Sequence, residues 1–135
     1  MADNYPEAAK KHVFDSESLL SAKRYDGAGY LAGYAVECTL KTVINVETGK
    51  GGGGHDLNDL SAKALRLLSL PGQKTASYVK QPGITVLMYG ATGWHATLRY
   101  EPEGAVSQTD SATWVSEARR LLDEVIIPMK LDGVI

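Results

Sequence analysis

From Gly29 to Lys41 the chain reads Gly-Tyr-Leu-Ala-Gly-Tyr-Ala-Val-Glu-Cys-Thr-Leu-Lys, with an apolar or small residue at nearly every position. A helix that is apolar on every side has to be buried. Two charged residues stand inside it, Glu37 and Lys41, spaced one turn apart. A charge withdrawn from water must be paired or must give up its charge. Any fold this chain adopts therefore has to build a polar site in its interior around Glu37.

The flanking segments read as further helices. The first is expected from about Tyr5 to about Lys23, with Asn4 as N-cap and Pro6 in the first turn, where a missing N–H does no harm. Tyr5, Ala8, Ala9, His12, Val13, Ser16, Leu19 and Leu20 recur at spacings of three and four and make one inward stripe. Asp26-Gly27 reads as a turn, and the apolar helix follows from about Ala28 to about Glu47. A glycine-rich loop, Gly49 to Gly54, leads to a third helix. This helix starts near His55-Asp56 with Asp56 as cap, uses Leu57, Leu60, Ala64, Leu67 and Leu68, and ends at Pro71-Gly72. Between 73 and 106 the pattern is ambiguous. Ile84 to Tyr89 fits a short strand or one or two buried helical turns, and Glu101 to Gly104 fits a loop. The last helix is expected from Asp110 or Ser111, with Trp114, Ala118, Leu121 and Val125 as its stripe and Pro128 ending or kinking it.

These segments predict an all-α fold, an up-and-down bundle of four to five helices forming one domain over residues 1–135. A chain of 135 residues is long enough for a single core. With 16 acidic and 14 basic residues the net charge is −2, which excludes strong charge-driven binding to nucleic acid while leaving room for a local basic patch. The single cysteine, Cys38, lies in the apolar helix and reads as packing, which points to a cytoplasmic protein. The polar start Met1-Ala2-Asp3-Asn4 shows no signal peptide, and no apolar run is long enough for a bilayer, so no membrane partner is expected. Gly29, Ala32 and Gly33 would let a neighbouring helix approach closely. The apolar positions also exceed what one short bundle buries easily, so a homodimer is expected.

Four stretches together resemble the HEPN domain, a small all-helical family named for its occurrence in higher eukaryotes and prokaryotes and for nucleotide binding. They are Arg24 to Lys41, Gly54 to Leu60, Trp94 with Arg99-Tyr100, and the upstream helix with His12 and Leu19-Leu20. The resemblance implies a helical bundle that dimerises and has a link to RNA or nucleotides. Many members are metal-independent ribonucleases, often toxins paired with a minimal nucleotidyltransferase. Their signature is an arginine followed after four to six residues by a histidine. Here Tyr100-Glu101-Pro102-Glu103-Gly104-Ala105-Val106 follow Arg99, and no histidine comes after them; Arg24 and Arg66 lack one as well. The family's catalytic pair is therefore not carried over to this chain.

The residues expected to bind a ligand are Arg99, Tyr100, His55, Glu37 and Lys41. Arginine beside aromatics can hold a phosphate and a base. Glu37 and Lys41 can pair along one helix face, and Glu37 can also hold Arg99 or His55 of a shared cleft. His55, at a helix start, either supports the turn or contributes to an anion site. Gly49-Lys50 is followed by Gly51 rather than Ser or Thr, so this is no phosphate-binding Walker loop. His12 and Asp15 alone do not make a metal site, and neither metal nor cofactor is expected. The expected function is a non-catalytic HEPN-like domain that binds a nucleotide, RNA or a partner protein as a dimer. The alternative is a metal-independent ribonuclease or toxin with a variant site, paired with a nucleotidyltransferase antitoxin.

Overall fold

Asn4 opens the first helix, α1 (Tyr5–Ser21), by accepting the Glu7 N–H on its side chain at 3.2 Å, with Pro6 in the first turn. The remaining elements are α2 (Tyr25–Thr48), α3 (Leu57–Leu68), a 3-10 turn (Ala96–Tyr100) and α4 (Gln108–Leu121). A π turn (Leu122–Ile126) and a last short helix, α5 (Ile127–Leu131), follow. This computed structural model describes residues 4–50, 53–79 and 93–135, and among them every regular element is helical. The ambiguous segment Ile84 to Tyr89 lies outside the described residues.

The reversal between α1 and α2 falls earlier than the Asp26-Gly27 pair suggests. Lys23 adopts the left-handed conformation with φ 63°, Lys23 N–H donates to the Leu20 carbonyl, and Arg24 N–H donates to the Leu19 carbonyl at 2.8 Å. This is a Schellman closure with lysine in the place glycine usually takes. It frees Asp26 and Gly27 to form the first turn of α2. There Asp26 accepts the N–H groups of Gly104 and Val106 at 2.8 and 2.9 Å and pins the loop that leads to α4. Ser107 caps α4 on the Asp110 N–H, which moves its start before the expected Asp110. α3 has the expected Asp56 cap but stops at Leu68, before Pro71-Gly72.

α2 is the axis of the bundle. It packs along α1 and also meets α3, α4, the 3-10 turn and the π turn. Every residue from Ala35 to Ile44 is buried. The buried hydroxyls in this run donate back to their own helix, Thr39 to the Ala35 carbonyl and Thr42 to the Cys38 carbonyl. Val13, Val36, Val43, Ile44, Leu122, Val125 and Met129 form the fully buried centre. Pro128 neither ends nor breaks the last helix. The turn before it is π-wound, with Ile127 N–H donating to the Leu122 carbonyl, and helix continues to Leu131. A widened turn absorbs the donor that proline lacks.

The small residues of α2 serve packing within the chain. A Cβ built on Gly33 would lie 1.9 Å from Trp94 Cε2, and one on Gly29 would lie 2.8 Å from Val106 Cγ1 and 3.1 Å from Trp114 Cε3. These positions take an indole and the Val106–Trp114 pair of the same chain, so they supply no groove for a second copy. No helix among the described residues is long and apolar enough to cross a membrane.

Candidate functional site

Glu37 sits in the middle of α2 and is 4 % exposed. Its carboxylate meets Lys41 Nζ at 3.5 Å on the next turn, as the spacing predicts. It also meets His55 Nδ1, at 2.9 Å from Oε1 and 3.1 Å from Oε2. Of the two longer-range partners open to Glu37, the fold brings His55. Gly54 explains how the ring gets there. It holds φ 84°, a left-handed conformation that favours glycine, and turns the chain immediately before His55. Glu37 thus supports one buried ammonium and one half-exposed imidazole. With the carboxylate at Nδ1, the His55 proton belongs on that nitrogen, and Nε2 has no hydrogen-bond partner among the described residues.

The aromatic neighbours of Glu37 come from its own helix and from the 3-10 region. Tyr34 lies edge-on to His55 with centroids 6.1 Å apart and edge-on to Trp94 at 5.3 Å. Tyr30 donates its hydroxyl to the Tyr34 hydroxyl at 3.1 Å. The Tyr34 phenol is pushed up to about 12, first by burial and then by the Tyr30 hydroxyl bond, with Arg99 opposing. Tyr34 is therefore a neutral hydroxyl at any physiological pH. Trp94 lies over Gly33, is 7 % exposed, and donates Nε1–H to the Tyr30 carbonyl at 3.1 Å. It is a core indole rather than a platform for a ligand base.

His12 belongs to this cluster, which its sequence position beside Asp15 does not reveal. Its ring lies 6.0 Å from Tyr34, and its Nδ1 is buried with no hydrogen-bond partner among the described residues. Burial, assisted by Lys11, holds the imidazole below its ordinary range, against the pull of Asp15 and Glu37. The hints in the sequence are its place on the inward stripe of α1 and in the upstream stretch of the family resemblance. Lys41 completes this side, with Nζ 5.7 Å from the Tyr5 ring centroid.

Arg99 and Tyr100 are exposed at the end of the 3-10 turn, with the guanidinium 4.9 Å from the Tyr100 ring centroid. Bonding to the Tyr100 hydroxyl, and the nearby Tyr30, raise the Arg99 guanidinium further above its ordinary value. Three residues complete a turn of 3-10 helix, so Arg99 shares a face with Ala96. Ala96 in turn lines a cleft of about 350 Å³ together with His55, Asp56, Leu57, Asn58, Trp94 and His95. Of the five expected residues, only His55 lines this cleft; Glu37 and Lys41 are buried and connect to it through the Glu37–His55 bond, and Arg99 and Tyr100 are exposed on the 3-10 turn outside its lining. Tyr100 points its exposure, 75 %, to solvent beside Arg99. Two first-turn N–H groups of α3 are already taken, since Asp56 accepts from Asn58 and Asp59 at 2.8 and 3.2 Å. Any role of His55 in holding an anion therefore rests on its imidazole and not on the helix end. Among the described residues no group of three or more His, Cys, Asp or Glu side chains is placed to hold a metal ion. Comparison with protein-family models, with curated proteins and with solved structures yields no match for this chain.

Proposed function

We propose that this chain is an HEPN-like helical domain that binds a phosphate-bearing ligand, a nucleotide or RNA, at the face carrying His55, Arg99 and Tyr100. The observation that carries the reading is the His55 ring. It is fixed at Nδ1 by buried Glu37, on the wall of a cleft beside the 3-10 turn that ends in Arg99 and Tyr100. A side chain held this way is pre-organised for binding, because its orientation does not have to be established when the ligand arrives. Arg99 adds a permanent charge and two parallel donors for phosphate oxygens. Tyr100 adds an exposed ring on which a base can stack. Fluorescence anisotropy with a labelled single-stranded RNA tests this directly. Arg99→Ala is expected to weaken binding about tenfold, the loss of one charge-assisted contact pair. Equal affinity of wild type and variant overturns the reading.

The same reading makes the protein a homodimer; a nucleotidyltransferase-type protein partner goes with the ribonuclease or toxin alternative. Exposed Phe14, Ile127 and Leu131 give the dimer an apolar face in place of the glycines of α2. A monomer by light scattering at micromolar concentration removes that part. A second reading, metal-independent ribonuclease or toxin activity, is favoured by the Glu37–His55 pair, since an imidazole oriented by a carboxylate can move protons near neutral pH. RNA digestion by pure protein in chelator, abolished by His55→Ala and by Arg99→Ala, selects it over binding alone.

A further inference from the structure

The cleft beside the 3-10 turn carries an acceptor that the fold leaves open. Asp56 caps α3 through one oxygen only, with Oδ1 accepting the N–H groups of Asn58 and Asp59. Its Oδ2 has no hydrogen-bond partner among the described residues, and neither has the side-chain amide of Asn58, which lines the same cleft. We infer that this cleft takes a nucleobase, guanine before the others, by its pairing edge, while the phosphate of the ligand stays outside the lining with Arg99. The inference rests on the reading of a nucleotide or RNA ligand above and names the base that goes with it.

Three observations carry it. First, a carboxylate oxygen accepts and cannot donate. On the wall of a cleft it repels a phosphate group, whereas a ring N–H gains a charge-assisted bond there. Guanine presents two adjacent donors on its pairing edge, the N1–H and the N2 amino group. Adenine and cytosine set a ring-nitrogen acceptor beside their amino group, and uracil flanks its N–H with two carbonyls. Each of these three therefore brings a lone pair toward the carboxylate. Second, the space suits a flat heterocycle. The cleft measures about 350 Å³, inside the span of small-molecule sites, about 300–1,000 Å³. Leu57 and Trp94, both buried, give it apolar surface, and the Asn58 amide supplies the donor that a guanine O6 calls for. Third, the two imidazoles of the lining are oriented before any ligand arrives. His55 is held by Glu37 at 2.9 Å and His95 by Thr97 Oγ1 at 2.6 Å. Rings held in this way offer a base a face for stacking at little ordering cost.

The test is calorimetric titration of the intact chain with guanosine, N1-methylguanosine and adenosine, none of which carries a phosphate. Guanosine is expected to bind at least about tenfold tighter than either of the others. Asp56→Asn gives the sharper readout. Its side-chain carbonyl keeps the α3 cap, and its amino group puts a donor where Oδ2 accepts. The variant is expected to weaken guanosine at least about tenfold while adenosine, whose N1 can accept from the new donor, gains affinity. A loss of structure would weaken both nucleosides together. A circular-dichroism melt shows whether the variant folds; if it does not, the order of the three nucleosides on the wild-type chain decides alone. Equal binding of guanosine and N1-methylguanosine, a preference for adenosine, or an unchanged guanosine preference in folded Asp56→Asn overturns the inference. Where guanosine binds as expected, a uridine strand with one internal guanosine is compared with the all-uridine strand. A gain of about tenfold assigns the base of a strand, and no gain assigns that of a free nucleotide. If guanosine does not bind but labelled RNA still loses affinity in Arg99→Ala, the inference falls and the broader reading stands. If guanosine binds and Arg99→Ala leaves RNA affinity intact, the base site stands without the phosphate contact. If nothing binds, both fall.

Discussion

At the scale of single residues the chemistry of this protein turns on one carboxylate. Glu37 carries Lys41 and His55 at once, so its removal strands a buried ammonium. Glu37→Ala is expected to cost about 3–5 kcal/mol in urea denaturation, the range for breaking a buried pair from one side. Replacing both partners, as in Glu37→Ala with Lys41→Met, should return most of that loss, because no uncompensated charge is left. A double variant as unstable as the single one would show that Lys41 is not the stranded group. His12 makes a different demand. Its pKa is lowered by burial, so below the ordinary imidazole range the unfolded chain binds a proton that the folded chain refuses. Its contribution is therefore complete above the ordinary imidazole value and is lost as pH falls toward the depressed folded value. His12→Asn is expected to flatten the fall in stability between about pH 7 and about pH 5, the window below the ordinary imidazole value. An unchanged slope would place the titration elsewhere. Sequence spacing is enough to find the Glu37–Lys41 pair, but His55 and His12 come from other elements, and no local pattern says that His55 meets Glu37 or that His12 packs beside Tyr34.

At the scale of elements, the helices follow their sequence signals wherever the signal is local. Asn4, Asp56 and Ser107 each cap a helix through their own side chain. The inward stripe of α4, Trp114, Val115, Ala118 and Leu121, is buried as its spacing requires. The departures come where a competing interaction decides. The reversal falls at Lys23, in the left-handed conformation, and leaves Asp26 in α2, where it holds the Gly104–Val106 loop. The π turn lets helix pass through Pro128. The contact between α2 and Trp94 is equally beyond local reading, since Gly33 alone does not say whether a helix, an indole or a second chain will fill its place. Gly33→Ala tests which one does. Its methyl would overlap the indole, and overpacking of this kind costs about 1–3 kcal/mol. Displacement of Trp94 from its bond to the Tyr30 carbonyl should shift the tryptophan emission to the red. A native spectrum with native stability would mean that the indole is not packed on Gly33.

At the scale of the whole molecule, buried and half-buried carboxylates of α2 tie distant loops to the bundle. Asp26 holds 104–106, Glu37 holds His55, and Glu47 accepts Lys74 N–H, Thr75 N–H and the Thr75 hydroxyl at 3.1, 2.9 and 2.6 Å. Tyr78, a turn beyond, donates to Asp132 near the C-terminal end. Burial pushes the Glu47 carboxyl up, but the Thr75 and Lys74 hydrogen bonds outweigh it and leave the group below its ordinary value. Stability from this tie is thus present above the ordinary carboxylate range and is lost as pH falls through the depressed value. Glu47→Gln is expected to raise amide exchange across residues 74–79 at neutral pH, where the wild-type tie is intact; equal exchange rates in the two proteins would remove the tether. The sequence by itself determined the all-helical class, the caps, the central buried helix and the Glu37–Lys41 pair. All of these follow from periodicity and from side-chain hydrogen bonds within a few residues. Only the tertiary structure decided that His55, His12 and Trp94 gather around Tyr34 and Glu37, and that a cleft opens between α3 and the 3-10 turn. Those contacts join segments far apart in the chain, and packing between whole elements, rather than any local preference, sets which groups meet.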